Sequence, residues 1–222
     1  MKYRRQGAEM ENWAEVFESI GDNCELGFMQ KQKGVDQGAL LKWCRIMSHL
    51  YLIKILTLPR EQFYIKTNLA PIYDDMVVDK SSSIQYHTSL YSEESDGVRK
   101  FVALDEEFDS IYQLEYEKKI YMYDKFFSNL RSGGRIYVYK MNECNEISIA
   151  DEILRCLKIY NPNNNLLYVT DLDKERAGSV EMLKPNLYRG FIKSFAPYYP
   201  VTEARLDFWE PMCQNAIRSI AI

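Results

Sequence analysis

The sequence predicts an α/β fold: a single domain with a mixed sheet, an antiparallel meander in the middle, a parallel βαβ unit in the C-terminal half, and helices packed on the sheet. Three observations predict it. Arg135–Lys140 and Leu166–Thr170 are short β-rich runs joined by a helical stretch, Ser148–Tyr160, with tight connections. Such strand–helix–strand units form parallel pairs. Residues 62–91 instead show short apolar runs separated by Asn68, Pro71, Asp79 and Ser81-Ser82-Ser83, the punctuation of a meander. The chain is 46% hydrophobic and 27% charged over 222 residues, enough to build a real core.

From the N-terminus, residues 1–12 read as a frayed end of the 1–222 domain. Residues 11–20 fit either a helical stripe (Trp13, Val16, Phe17, Ile20) or a short strand running into Gly21. Cys24 to Gln32 reads as a helix broken near Gly34. Gly38 opens a longer helix to Leu58, apolar nearly all round and therefore buried, which Pro59 stops. The meander comprises Gln62–Lys66, Ile72–Val78 and Ile84–Tyr91. Asp105 caps a long helix to about Arg131, with Phe108, Ile111, Tyr112, Tyr116, Ile120, Tyr123, Phe127 and Leu130 spaced by three or four; Gly133-Gly134 ends it. Ser148 with Asp151 resembles a capping box, and Asn161-Pro162 closes that helix. A further strand lies within Leu187–Phe195, and Leu206–Ile220 is a final amphipathic helix.

Composition removes several classes of function. A net charge of −4 gives no basic field for nucleic acid. The most apolar stretch, Ile46–Leu58, contains His49 and Lys54 and is too short to insert in a membrane. No signal-peptide pattern is visible, so reduced thiols in the cytoplasm are the expectation. The 5 cysteines (24, 44, 144, 156 and 213) lack zinc spacing, and 2 histidines make a His-rich metal site a poor fit. Neither a P-loop nor a dinucleotide fingerprint is present, so no cofactor is expected. Ile20-Gly21-Asp22-Asn23 resembles the opening block of Gly-Asp-Ser esterases, but asparagine stands where they need serine, and no histidine follows His87.

The chemistry these residues permit centres on Cys24. It stands where a helix opens after a polar turn, and a helix N-terminus lowers a cysteine pKa. His87 is the candidate base, since on a strand it shares a polar face with Gln85 and Ser89. His49 reads as a packed structural histidine. The orienting third group would come from the end of the 135–140 strand, at Asn142 or Glu143, because an asparagine can hold an imidazole by accepting its N–H. Asn23 could serve as an oxyanion donor with the Cys24 backbone N–H. Asp22, Lys140 and Glu143 are candidate substrate contacts. Cys44, Cys156 and Cys213 read as small core residues, and Cys144 as a loop thiol.

Phe17-Glu18-Ser19-Ile20-Gly21-Asp22-Asn23-Cys24-Glu25-Leu26-Gly27 resembles the signature of a bacterial family of unknown function described as papain-like cysteine peptidases. Further blocks match in order: Tyr86-His87-Thr88 through Tyr91, Ile136–Lys140 with Asn142-Glu143, Arg189-Gly190-Phe191-Ile192 with Phe195-Ala196-Pro197-Tyr198, and Leu206-Asp207-Phe208-Trp209. The resemblance spans roughly Phe17 to Ile217. It implies Cys24 as nucleophile and His87 as base, acting on a peptide, acyl or glycan substrate, and a setting near glycosyltransferases and surface polysaccharide. Papain-like enzymes place a glutamine before the cysteine, where this chain has Phe17-Glu18-Ser19. The expectation is a cysteine-dependent hydrolase or acyl transferase. The alternative is a non-hydrolytic glycan or nucleotide-sugar enzyme, or an accessory binding module, with Cys24 as packing. A third reading is an interaction protein.

Overall fold

The structure, a computed structural model, describes residues 12–35, 37–142, 146–198 and 205–220. In chain order the strands are β1 (Phe17–Ser19), β2 (Cys44–Arg45), β3 (Leu69–Tyr73), β4 (Met76–Asp79), β5 (Ile84–His87), β6 (Ser92–Ser95), β7 (Val98–Phe101), β8 (Ile136–Tyr139), β9 (Asn165–Thr170), β10 (Val180–Lys184) and β11 (Leu187–Phe191). The α-helices are α1 (Glu25–Gln32), α2 (His49–Thr57), α3 (Asp105–Ser132), α4 (Ile147–Tyr160) and α5 (Leu206–Ser219).

A mixed sheet runs in the order β1-β8-β9-β11-β10; the first four strands are parallel and β10 is antiparallel at one edge. Strand alternation sends its side chains to two cores. Ile136, Val138, Leu167 and Val169 pack with Leu26 and Met29 of α1 and with Trp209, Met212 and Cys213 of α5. Tyr137, Tyr139, Leu166 and Tyr168 pack on the other face, with Phe126 and Phe127 of α3 and Ile149, Ile153 and Leu157 of α4. The chain therefore leaves β1 toward one face and β8 toward the other. Those strands are neighbours, so their carboxyl ends form a topological switch point, where open α/β sheets bind ligands.

The meander forms a second, antiparallel sheet, β2-β5-β4-β3, and β6 pairs only with β7. Several boundaries differ from the sequence expectation. Residues 38–58 are not one helix: buried loop and β2 occupy the first part, and α2 starts only where the Ser48 hydroxyl accepts the Leu50 N–H. The apolar run is buried, but Leu40, Leu41, Cys44 and Ile46 reach the core without a helix. Gln62–Lys66 is not a strand. Two 3-10 turns flank Tyr64, whose φ of 56° breaks an extended run. β5 stops at His87 because the Thr88 N–H turns to the Asp75 carbonyl. The capping box at Ser148 is absent: Glu146 is the N-cap of α4, and no side chain caps it. Leu104, not Asp105, precedes α3, which ends as expected at Gly133. No described helix is long and apolar enough to cross a membrane.

Candidate functional site

The β1–α1 turn and the β8–α4 loop meet at the switch point. β1 continues its pairing beyond Ser19, with the Ile20 N–H donating to the Val138 carbonyl at 2.9 Å and the Asp22 N–H to the Lys140 carbonyl at 3.2 Å. A side chain at Gly21 would put its Cβ 3.2 Å from both the N and O of Lys140, so glycine permits this approach. Asn23 then accepts the Glu25 N–H at 3.0 Å through Oδ1, serving one of the unpaired donors at the start of α1.

The centre of the site is a buried charge cluster. Lys140 Nζ lies 2.8 Å from Glu25 Oε2 and 3.2 Å from Asp22 Oδ1, with all three side chains at most 3% exposed. It also donates to Asn142 Oδ1 at 2.6 Å and sits 4.8 Å above the Phe195 ring. The remaining carboxylate oxygens are occupied. Glu25 Oε1 accepts the Ala196 N–H and the Trp209 indole N–H. Asp22 Oδ2 accepts the Asn142 N–H and the Tyr198 hydroxyl. Asn142 Nδ2 returns to the Ala196 carbonyl at 2.9 Å. Each carboxylate thus has one oxygen hydrogen-bonded and the other facing the Lys140 ammonium, the condition for burying such groups.

An open cavity of about 160 Å³ adjoins this cluster, lined by Asp22, Arg45, Ile46, Met47, Met141 and Tyr198. Arg45 leaves the second sheet on β2 and donates to the Tyr73 hydroxyl at 3.1 Å. No carboxylate pairs with it among the described residues.

The expected cysteine and histidine are differently disposed. Cys24 caps α1 as read from the sequence, but it is 7% exposed, and its Sγ faces the Cys44 carbonyl at 3.8 Å. Burial pushes its thiol up to about 11, with Lys140 pulling the other way. The lowering expected from the helix N-terminus is outweighed by desolvation. His87 is exposed, and its Nδ1 lies 2.9 Å from Asp75 Oδ2. No hydrogen bond joins His87 to Cys24 among the described residues. Asn142 joins the Lys140 cluster rather than the imidazole. Asn23 Nδ2 is buried without a partner among the described residues. His49, at the start of α2, faces Glu152 at 3.8 Å. Cys44 and Cys213 are buried thiols, both pushed up by desolvation. Glu143 and Cys144 lie outside the described residues.

The chain was compared with family models, curated proteins and solved structures. None matches.

Sequence reasoning picked Asp22, Asn23, Lys140 and Asn142 as site residues, and the fold brings them together. It missed Glu25, Arg45, Asp75 and Tyr198. Glu25 carried a legible signal: a second acid three residues after Asp22, opposite a lysine ending a strand. Arg45 and Asp75 carried none, because their placement depends on how the second sheet pairs. Among the described residues no group of three His, Cys, Asp or Glu side chains could hold a metal ion.

Proposed function

We propose that this chain binds a small ligand of the glycan class, a sugar or the sugar end of a nucleotide sugar, in the crevice outside the carboxyl ends of β1 and β8. One observation carries the reading: an open cavity stands at the switch point, beside a buried, ion-paired cluster of Asp22, Lys140, Glu25 and Asn142. The cluster ties Asp22 and Glu25 to Lys140 and Asn142 at the edge of the cavity. The glycan class follows from the family resemblance, and the cytoplasm is the compartment we propose for it. In this reading Cys24 packs the floor of the β1–α1 turn.

A melting-temperature panel of monosaccharides, sugar phosphates and nucleotide sugars tests it. A ligand that binds the folded state raises the melting temperature in proportion to its saturation. Met47 is half exposed at the cavity mouth, so Met47→Trp fills the cavity without disturbing the core. The expected result is stabilisation of the wild type that Met47→Trp abolishes. Equal stabilisation of both proteins would move the site elsewhere.

The second reading, a cysteine-dependent hydrolase or acyl transferase, is favoured by a different observation. Asp75 already orients the His87 imidazole, and Lys140 is near enough to Cys24 to favour its thiolate. It requires a movement that brings His87 and Cys24 together. Loss of turnover in Cys24→Ser on a substrate the wild type cleaves would support it.

A further inference from the structure

We propose that the ligand of this cavity is an oxyanion, a phosphate- or carboxylate-bearing molecule with a body about the size of one six-membered ring, and that Arg45 anchors it. The inference rests on the reading of the crevice as a ligand site and narrows the ligand's chemistry.

Arg45 is half-buried, and a guanidinium has five N–H donors. Its bond to the Tyr73 hydroxyl uses one terminal nitrogen, Nη1. Three other half-buried arginines are matched by acids, Arg99 with Asp74 at 2.7 Å, Arg176 with Glu181 at 2.8 Å and Arg189 with Glu181 at 3.6 Å, while Arg135 donates to the Glu15 carbonyl. Arg45 instead lines a cavity with donors to spare. A guanidinium fork fits phosphate and carboxylate in a bidentate way that an ammonium does not.

The one acid among the described residues of the cavity wall does not compete for that fork. Asp22 Oδ1 faces Lys140, and Oδ2 accepts from Asn142 and Tyr198. The rest of the wall, Ile46, Met47 and Met141, is apolar. The volume of about 160 Å³ sets the size of the body, since an apolar cavity of about 150 Å³ accepts benzene. A complete nucleotide sugar would leave its nucleoside outside.

Calorimetric titration separates the possibilities, with glucose 1-phosphate and glucuronate as the two oxyanion sources, inorganic phosphate as the anion without a body, and glucose as the body without an anion. Each is titrated into wild type, Arg45→Gln, Arg45→Lys and Met47→Trp, with ligand-free melting curves confirming that the variants fold. The expected result is binding of glucose 1-phosphate or glucuronate, whichever source is correct, more tightly than either glucose or inorganic phosphate. Arg45→Gln should weaken it about tenfold or more, as for a hydrogen bond to a charged group, and Arg45→Lys should restore part of the loss. Glucose binding as tightly as both acids, with Arg45→Gln unchanged and Met47→Trp blocked, would overturn the anion assignment and leave the crevice reading standing. Anion binding that survives Met47→Trp would overturn both. Failure of all three anions to bind the wild type would also overturn the proposal.

Discussion

Lys140 holds one positive charge between two carboxylates that water does not reach. Removing one member of such a cluster leaves its partners charged and desolvated, which costs about 3–5 kcal/mol. Lys140→Met should therefore lose that much in urea unfolding, with an unchanged denaturant slope. Glu25→Gln should lose less. The cluster carries two acids against one base, and a glutamine carbonyl still accepts the Ala196 and Trp209 donors. Equal losses in the two variants would show that packing, not charge balance, sets the stability here. At this scale the sequence shows which residues gather but not what they do. Asp22, Lys140 and Asn142 are legible as polar residues at strand ends, where loops carry function. Their roles depend on burial, which no local pattern reports. Cys24 illustrates the point: the helix-end position is visible in the sequence, whereas the burial that outweighs it, against the Cys44 carbonyl of β2, depends on the tertiary fold.

The helix α3 carries a second buried lysine with a different balance. Lys119 lies 4.6 Å from the Tyr86 ring centre and 5.6 Å from that of Tyr64, and donates to the His87 carbonyl at 3.4 Å. Desolvation lowers its pKa to about 8, opposed by Glu115 and the Cys44 thiol and reinforced by the Lys118 charge. The folded state thus holds this proton less tightly than the unfolded chain. Below pH 8 the charged amine destabilises the fold. As pH rises from about 8 to the ordinary lysine range the unfolded state binds more protons, and stability increases. Lys119→Met removes this titration. The gap in unfolding free energy between variant and wild type should shift by on the order of 3 kcal/mol in favour of the wild type between pH 7 and pH 10.5. A gap independent of pH would mean that Lys119 stays charged in the fold.

Elements with long periodicity were legible, because a stripe over many turns has no strand counterpart. α3, α4 and α5 match their expected positions, and so do β8 and β9, which their runs of β-branched and aromatic residues mark instead. Residues 38–58 were not, since an all-round apolar run does not distinguish a buried helix from a buried loop and strand. The β6–β7 hairpin was not read from the sequence: its strands are short and mostly polar, with Phe101 packing on the core, and Asp96-Gly97 was its one turn signal. Both residues take positive φ, 53° and 73°, as a tight hairpin turn requires.

For the whole molecule, the α/β class and the βαβ unit followed from local patterns. The site did not, because it depends on β1 lying beside β8, a pairing of Phe17 with Ile136 that periodicity does not encode. That pairing creates the switch point and brings Gly21–Glu25 against Lys140–Asn142. The second sheet then supplies Arg45 to the cavity and keeps the His87–Asp75 pair on its exposed side. We propose that this crevice binds its ligand without a thiolate at Cys24. Peptide-resolved iodoacetamide labelling of the folded protein from pH 6 to 11, in wild type and His87→Ala, tests it most directly. With the thiol near 11, about one Cys24 in ten thousand is ionised at pH 7. Cys24 should stay unlabelled through pH 8, react only as pH approaches 11, and behave the same in both proteins. Rapid labelling of Cys24 below pH 7 that slows in His87→Ala would contradict it and establish a thiolate–imidazolium pair.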